Sequence, residues 1–198
     1  FDGTPEGRGS APLTGELDPS HVGSIIGELL PEEAIVSDEA ATSGFAVYPN
    51  TWNSKPHDWL SLTGGSIGQG LPLATGAAIA CPERPVICLH GDGGAMYTVQ
   101  SIWTQARENL DVTTVIFANN SYNILNVEYG RLGVTDVGEI AAGLFDIGNP
   151  SIDWVALAKG FGVDGGKANT AEELCTLLEK SYETPGPFLI QANGELKR

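Results

Sequence analysis

The chain has 198 residues, an ordinary globular composition (41% hydrophobic, 18% charged) and 25 acidic against 10 basic side chains, a net charge of −15. That charge argues against non-specific nucleic-acid binding and against docking on anionic lipid; no apolar run is long enough to cross a bilayer, and no secretory signal is visible. The three cysteines, Cys81, Cys88 and Cys175, have no metal-ligand spacing and read as buried free thiols of a reducing compartment, the cytoplasm.

In chain order, residues 1–17 are rich in Gly, Pro, Ser and Thr and read as a linker or tail, with the domain running from 18 to 198. Asp18-Pro19 has the form of an N-cap followed by proline at the first helical position. Val22, Ile25, Ile26, Leu29 and Leu30 then form one stripe, and Pro31 ends the helix. Ala34–Ser37 reads as a short strand ending in Asp38-Glu39, followed by a helix from about Thr42 to Tyr48. Leu60–Leu62 is a strand into the run Gly64 to Gly70, and Leu71–Cys81 is a small-residue helix. Val86–His90 is a buried strand, Gly91–Gly94 a turn, and Ala95 to Asn109 a helix. Thr113–Ala118 is a β-branched strand opening into Asn119–Tyr122. Residues 130–150 read as an irregular loop. Trp154–Phe161 is helical, Val163 opens a short strand, Thr170 and Glu173 make a capping box for a helix to about Tyr182, and Pro187–Ala192 is the last strand. Strands alternate with helices, and the strands are continuous apolar runs. The expected fold is α/β: a three-layer parallel sheet with helices on both faces.

In such a fold, ligands bind at the carboxyl ends of strands beside helix N-termini. Gly91-Asp92-Gly93-Gly94 ends an apolar strand and offers backbone N–H groups at a helix start, a cradle for phosphate oxygens. A carboxylate inside that cradle would repel the ligand unless a divalent cation sits between them, so Asp92 reads as a hard-metal ligand. Asn119 lies at the end of the next strand, 27 residues on. An amide oxygen, a carboxylate and a backbone carbonyl suit Mg²⁺ completed by phosphate oxygens and water. The bland alternatives are a tight strand–helix turn at Gly91–Gly94 and a plain Asn loop at Asn119-Asn120.

Gly91-Asp92-Gly93 with Asn119, and the strand–helix–strand between them, resembles the diphosphate-binding signature of the thiamine diphosphate-dependent enzymes. The likeness runs from about residue 15 to 194 and is nearest to the carboxy-terminal domain of the acetolactate synthase large subunit and benzoylformate decarboxylase group. It implies thiamine diphosphate and Mg²⁺ as cofactors, with Asp92, Asn119 and the carbonyl of Ser121 on the metal. Taking Asn120 instead would put the carbonyl on Tyr122. The Tyr122 phenol would then, with Asn119 as ligand, lie near the diphosphate. Gly93 and Gly94 would donate N–H groups to phosphate, and Thr42 and Ser43 would contact the diphosphate. Gly65, Ser66 and Ile67 fall on the pyrimidine-contacting turn: a backbone carbonyl at Gly65 for the cofactor's amino group, and Ile67 as the bulky wedge that bends it.

The resemblance further implies decarboxylation and carboligation of small 2-keto acids, or decarboxylation alone as in the benzoylformate type. It also implies a partner: a pyrimidine-binding domain, supplied by a second subunit of a homodimer or homotetramer, that carries the activating glutamate. No acidic residue here takes that role, Glu39 included. The chain therefore reads as half a site, a fragment of a longer enzyme or one subunit of a split one. A non-catalytic domain that keeps the fold is a rival; a dinucleotide-binding domain is disfavoured by the lack of Gly-x-Gly-x-x-Gly after the first strand. His21 reads as exposed, His57 and His90 as neighbours of the turns, and Asn123, Asn126, Glu128 and Tyr129 as flanking the substrate pocket without assigned roles.

Overall fold

The computed structural model describes residues 14–134, 136–194 and 196. Six strands, β1 (Ala34–Glu39), β2 (His57–Ser61), β3 (Val86–Gly91), β4 (Val112–Ala118), β5 (Asp164–Ala168) and β6 (Phe188–Asn193), form one sheet in the order β2-β1-β3-β4-β6-β5. Every pairing is parallel. The three-layer fold expected from the sequence is present.

Alternation along the strands divides the core into two. Val36, Ile87, Leu89, Val115, Phe117, Phe188 and Ile190 face α1 (Pro19–Leu29) and α10 (Ala171–Glu183). Ile35, Val86, Cys88, Val112, Ile116 and Leu189 face α4 (Gly70–Ala80), α6 (Gln100–Arg107) and α9 (Trp154–Gly160). With both faces covered, β1, β3, β4 and β6 are buried at nearly every position and each carries an apolar run of three or four residues, which is why they were readable as strands. The caps act as expected: Asp18 accepts the amides of Ser20 and His21, and Thr170 accepts that of Glu173. Among the described residues no helix is long and apolar enough to cross a membrane.

Several boundaries differ from expectation. The helix expected over 42–48 is two single turns, α2 (Ala41–Gly44) and α3 (Val47–Asn50). The helix expected over 95–109 is broken: α5 (Asp92–Ala95) turns at the strand end before α6 begins, and Met96 and Tyr97 between them stay exposed. Residues 130–150 are not an irregular loop. The end of α7 (Asn123–Arg131) and α8 (Glu139–Phe145) occupy much of that span, and Phe145 is anchored by edge-on contact with Tyr129. Gly-rich spacing hid α8 because its only buried apolar anchor is Phe145. Of the tail expected over residues 1–17, residues 1–13 lie outside the described residues. Gly15–Leu17 is tied to the start of α10: the Gly15 carbonyl accepts the Ala171 amide, and Leu17 is buried. Only Cys88 is fully buried; Cys81 and Cys175 are half-buried, and all three are free thiols.

Glycine lets α1 approach α3. A Cβ on Gly27 would lie 2.4 Å from the Asn50 carbonyl oxygen, whereas one on Gly76, mid-α4, would meet nothing within 4 Å. Gly27→Ala should therefore destabilise by about 1–3 kcal/mol despite alanine's better helix propensity. Gly76→Ala should stabilise by about 0.5–1 kcal/mol. Thermal unfolding midpoints of the two variants should move in opposite directions; a shared sign would refute the packing argument.

Candidate functional site

The chain runs from β1 outward to β2 and then back past β1 to β3, so the topological switch lies between β1 and β3. Because all strands are parallel, their polar ends converge at one edge. Glu39 pairs with His90 in register across that switch, and Gly91 pairs with Phe117 on β4.

The metal-ligand candidates are brought together. Asp92 is 3% exposed. Its Oδ1 accepts the Gly93 amide at 2.8 Å and its Oδ2 accepts the Asn120 amide at 2.7 Å, which joins the β3 turn to the β4 loop. Asn120 takes the left-handed conformation, φ +54°, that carries the chain around the carboxylate. Asn119 is buried at the loop's start: its Oδ1 accepts the Ser121 amide at 2.9 Å, and its Nδ2 donates to Ser43 Oγ at 3.0 Å. An antiparallel bridge between Ser121 and Asp146 braces the loop from α8's side. A Cβ on Gly93 would come within 2.6 Å of the Tyr122 ring, so Tyr122 closes over the cradle as a glycine-only neighbour.

Two of the expected contacts have partners within the domain. The Ser43 hydroxyl donates to the Leu196 carbonyl at 2.7 Å and accepts from Asn119, so its one proton is engaged inside the protein and it orients Asn119. The Gly93 amide bonds its own Asp92 carboxylate at 2.8 Å. Thr42 is buried in α2 beside them. Among the described residues no three His, Cys, Asp or Glu side chains are grouped so as to hold a metal ion; the candidate centre has a single carboxylate, and its other donors are amide and carbonyl oxygens, a hard-cation set.

The pyrimidine-turn residues stand apart from the core. Gly64 and Gly65 have φ +62° and +69°, the left-handed region that favours glycine. The Gly65 carbonyl accepts the Ile67 amide at 2.9 Å and retains a second lone pair. Ser66 is exposed, and Ile67 is 56% exposed, which excludes a core role for it.

Beneath this turn lies a group whose role sequence reasoning missed. Glu39, 6% exposed, accepts the Gly68 amide on Oε1 and the Gly70 amide on Oε2, both at 2.6 Å. The fully buried His90 ring has Nε2 3.1 Å from Glu39 Oε2, an ion-pair distance without aligned hydrogen-bond geometry, and its Nδ1 is 3.1 Å from the Gly91 carbonyl. Burial pushes the Glu39 carboxyl up, but the His90 ring and the two glycine amides outweigh it and hold the group below its usual range. The other two histidines lie outside this network: His57 bonds the Lys55 carbonyl, and His21, expected to be exposed, is half-buried 3.2 Å from Asp18.

The sequence profile described as "Thiamine pyrophosphate enzyme, C-terminal TPP binding domain" matches residues 40–192. The chain belongs to that family. It is 49% identical over 178 residues to a Mycobacterium tuberculosis protein named for an acetolactate synthase large subunit, and 34% identical over 177 residues to benzoylformate decarboxylase of Pseudomonas aeruginosa. Each alignment takes in 89% of this chain but only 35% and 32% of the relative, so the chain spans about a third of the length of these proteins. The solved thiamine diphosphate-dependent 4-hydroxybenzoylformate decarboxylase of Rhodococcus jostii superposes with a TM-score of 0.77 at 30% identity, over 90% of this chain and 33% of that one. Benzoylformate decarboxylase of Polynucleobacter necessarius gives 0.77 at 27%, over 97% and 35%.

In this TPP-binding domain, Asp38 lines a depression of about 320 Å³ with Glu39, Phe45, Tyr48, Ser61 and Leu62. Burial pushes its carboxyl up, only partly offset by the Ala40 amide, the Trp59 side chain and His90. A raised carboxyl contributes its stability below the unfolded value and loses it as pH rises through the folded one. Asp38→Asn should therefore raise the unfolding midpoint at neutral pH, with the gain vanishing in acid; an equal gain at every pH would contradict the assignment. Ser43→Ala should destabilise by about 1–3 kcal/mol, because it leaves the buried Asn119 amide and the Leu196 carbonyl without a partner; urea unfolding measures it.

Proposed function

We propose that this domain binds thiamine diphosphate through Mg²⁺ and forms the diphosphate half of the active site of an acetolactate synthase-like enzyme acting on 2-keto acids. The observation that carries the reading is the convergence of Asp92 with the Asn119–Tyr122 loop, through the bond from the Asn120 amide to Asp92 Oδ2, at the ends of adjacent parallel strands. Asp92, the Asn119 amide oxygen and the Ser121 carbonyl would hold the metal. Thr42, Gly91 and the Gly94 amide would border the diphosphate, and Ser43 fixes Asn119 from behind. The Gly65 carbonyl and Ile67 would receive the pyrimidine end, with Ser66 between them.

Bound thiamine diphosphate supplies an electron sink for breaking and making carbon–carbon bonds next to a carbonyl. This chain's residues bind and orient. Asp92 supplies the negative charge that a cation must neutralise before a polyanion can enter, and Tyr122 walls the cradle from the α7 side. The activating glutamate and a pyrimidine-binding domain would come from the remaining two-thirds of the enzyme, in a second subunit of a homodimer or homotetramer. The three free thiols suit the cytoplasm, where we place it. Decarboxylation without carboligation is the second reading, favoured by the superposition on two benzoylformate-type decarboxylases.

Calorimetric titration of thiamine diphosphate into the chain should show binding with Mg²⁺ that EDTA abolishes. Asp92→Ala should weaken it by about 100-fold or more, the loss of a charged ligand. Asn119→Ala should weaken it more than Asn120→Ala; the reverse order would move the ligand set to Asn120 and Tyr122. No binding even with a pyrimidine-binding domain added would overturn the reading.

A further inference from the structure

Glu39 is a buried carboxylate that the proposed chemistry does not use. It sits at the β1–β3 switch, and its two oxygens take the amides of Gly68 and Gly70, one and three residues after Ile67. The same segment is held from two further sides. Thr98 donates its hydroxyl to the Gly68 carbonyl at 2.7 Å, and Ser37 donates to the Gly70 carbonyl at 2.9 Å. Space is closed as well: a Cβ on Gly68 would lie 2.8 Å from Tyr97, and one on Gly70 would lie 2.7 Å from His90. All of this fixation falls on the C-terminal side of Ile67. On its N-terminal side Gly64 and Gly65 have open space around them, and Ile67 itself stands half exposed. An apolar side chain with so little packing holds its position only through its backbone.

We propose that Glu39 is the positioning residue of the pyrimidine turn. By chelating the Gly68 and Gly70 amides it fixes where Ile67 and the Gly65 carbonyl stand, and so sets affinity for the pyrimidine end of the cofactor without touching the diphosphate end. This inference rests on the thiamine diphosphate reading above and divides that site into two separable halves. The diphosphate half, Asp92 with the Asn119–Ser121 loop, is braced by Ser43, Leu196 and Asp146; Glu39 Oε1 abuts its edge at Gly94, where a Cβ would lie 3.1 Å away, but both Glu39 oxygens accept from the amides of the pyrimidine turn. A carboxylate is required because both amides are donors; the glutamine isostere would turn an NH₂ toward one of them.

The test compares two probes, thiamine diphosphate and inorganic pyrophosphate, each titrated with Mg²⁺ into the wild-type chain, Glu39→Gln and Thr98→Val, together with hydrogen exchange at Gly68 and Gly70. Glu39→Gln should weaken thiamine diphosphate by about ten- to a hundredfold, the range for a lost hydrogen bond to a charged group. Pyrophosphate affinity should stay within about twofold, while exchange at the two glycine amides speeds by about tenfold or more. Thr98→Val, a milder change at a half-buried hydroxyl, should shift the same quantities in the same direction by less, and keeps the test alive should Glu39→Gln fail to fold. Equal loss of both probes, or unchanged thiamine diphosphate affinity alongside faster exchange, would overturn the positioning role. Failure of the wild type to bind either probe, even with a pyrimidine-binding domain added, would instead bring down the cofactor reading, and this inference with it.

Discussion

Six strands running the same way impose most of what is distinctive here. Parallel neighbours need helical crossovers, the crossovers bury both faces of the sheet, and the strand interiors must then be apolar throughout. Polar chemistry is displaced to the strand ends, and parallel direction sends all carboxyl ends to one edge. Glu39, Asp92 and Asn119 lie far apart in sequence yet occupy neighbouring strand ends because of this single constraint. The glycines answer to it too: Gly70, Gly93 and Gly94 sit where turns leaving that crowded edge must pass His90, Tyr122 and Glu39 with no room for a Cβ.

A chain with a net charge of −15 that binds a diphosphate has an electrostatic difficulty, and the site addresses it locally. Its two strand-end acids are treated oppositely. Glu39 is neutralised from within by two amides and the His90 ring, so its charge is not presented to a ligand. Asp92 takes the Gly93 and Asn120 amides among its partners and lies beside the proposed cradle. The divalent cation proposed beside Asp92 would turn the local negative field into attraction for phosphate. Such a solution would need no arginine or lysine in the cradle, and it would make anion affinity depend on the metal.

The fold was legible because burial on both faces wrote itself into β1, β3, β4 and β6 as short apolar runs, and because Asp18 and Thr170 are caps with a local mechanism. The Asp92–Asn119 pairing was legible because a carboxylate in a phosphate cradle makes sense only with a cation. What stayed hidden was reciprocal. Ser43 looks like a phosphate contact, and nothing in the sequence shows that Leu196, more than 150 residues away, takes its proton. Glu39 looks like one of many surface acids until the amides 29 and 31 residues on close around it. Its only signal in sequence was a charge at the end of an apolar strand ahead of a glycine run. The break between α5 and α6 was hidden for a related reason: Met96 and Tyr97 have helix-compatible chemistry but lie exposed at the site edge, so no core contact extends the helix through them.

Exposure itself carries the last step. Phe45, Tyr48, Trp52, Ile67, Met96 and Tyr97 are each more than two-fifths exposed, and all belong to segments leaving the carboxyl ends of β1, β2 or β3. Isolated surface apolars need no explanation, but Phe45 and Tyr48 line the crevice beside Asp38 and Ile67 stands in the turn after β2, so the edge that gathers the polar strand ends also leaves large apolar side chains in water. The pyrimidine-binding domain proposed above would cover these side chains, exclude water from the crevice beside Asp38, and convert an open cradle into an enclosed site. On that view the turn at Ile67 must be rigid before the cover arrives, because a half-exposed side chain with no packing of its own cannot be placed by a surface that is not yet there. The carboxylate beneath it provides that rigidity from within the domain.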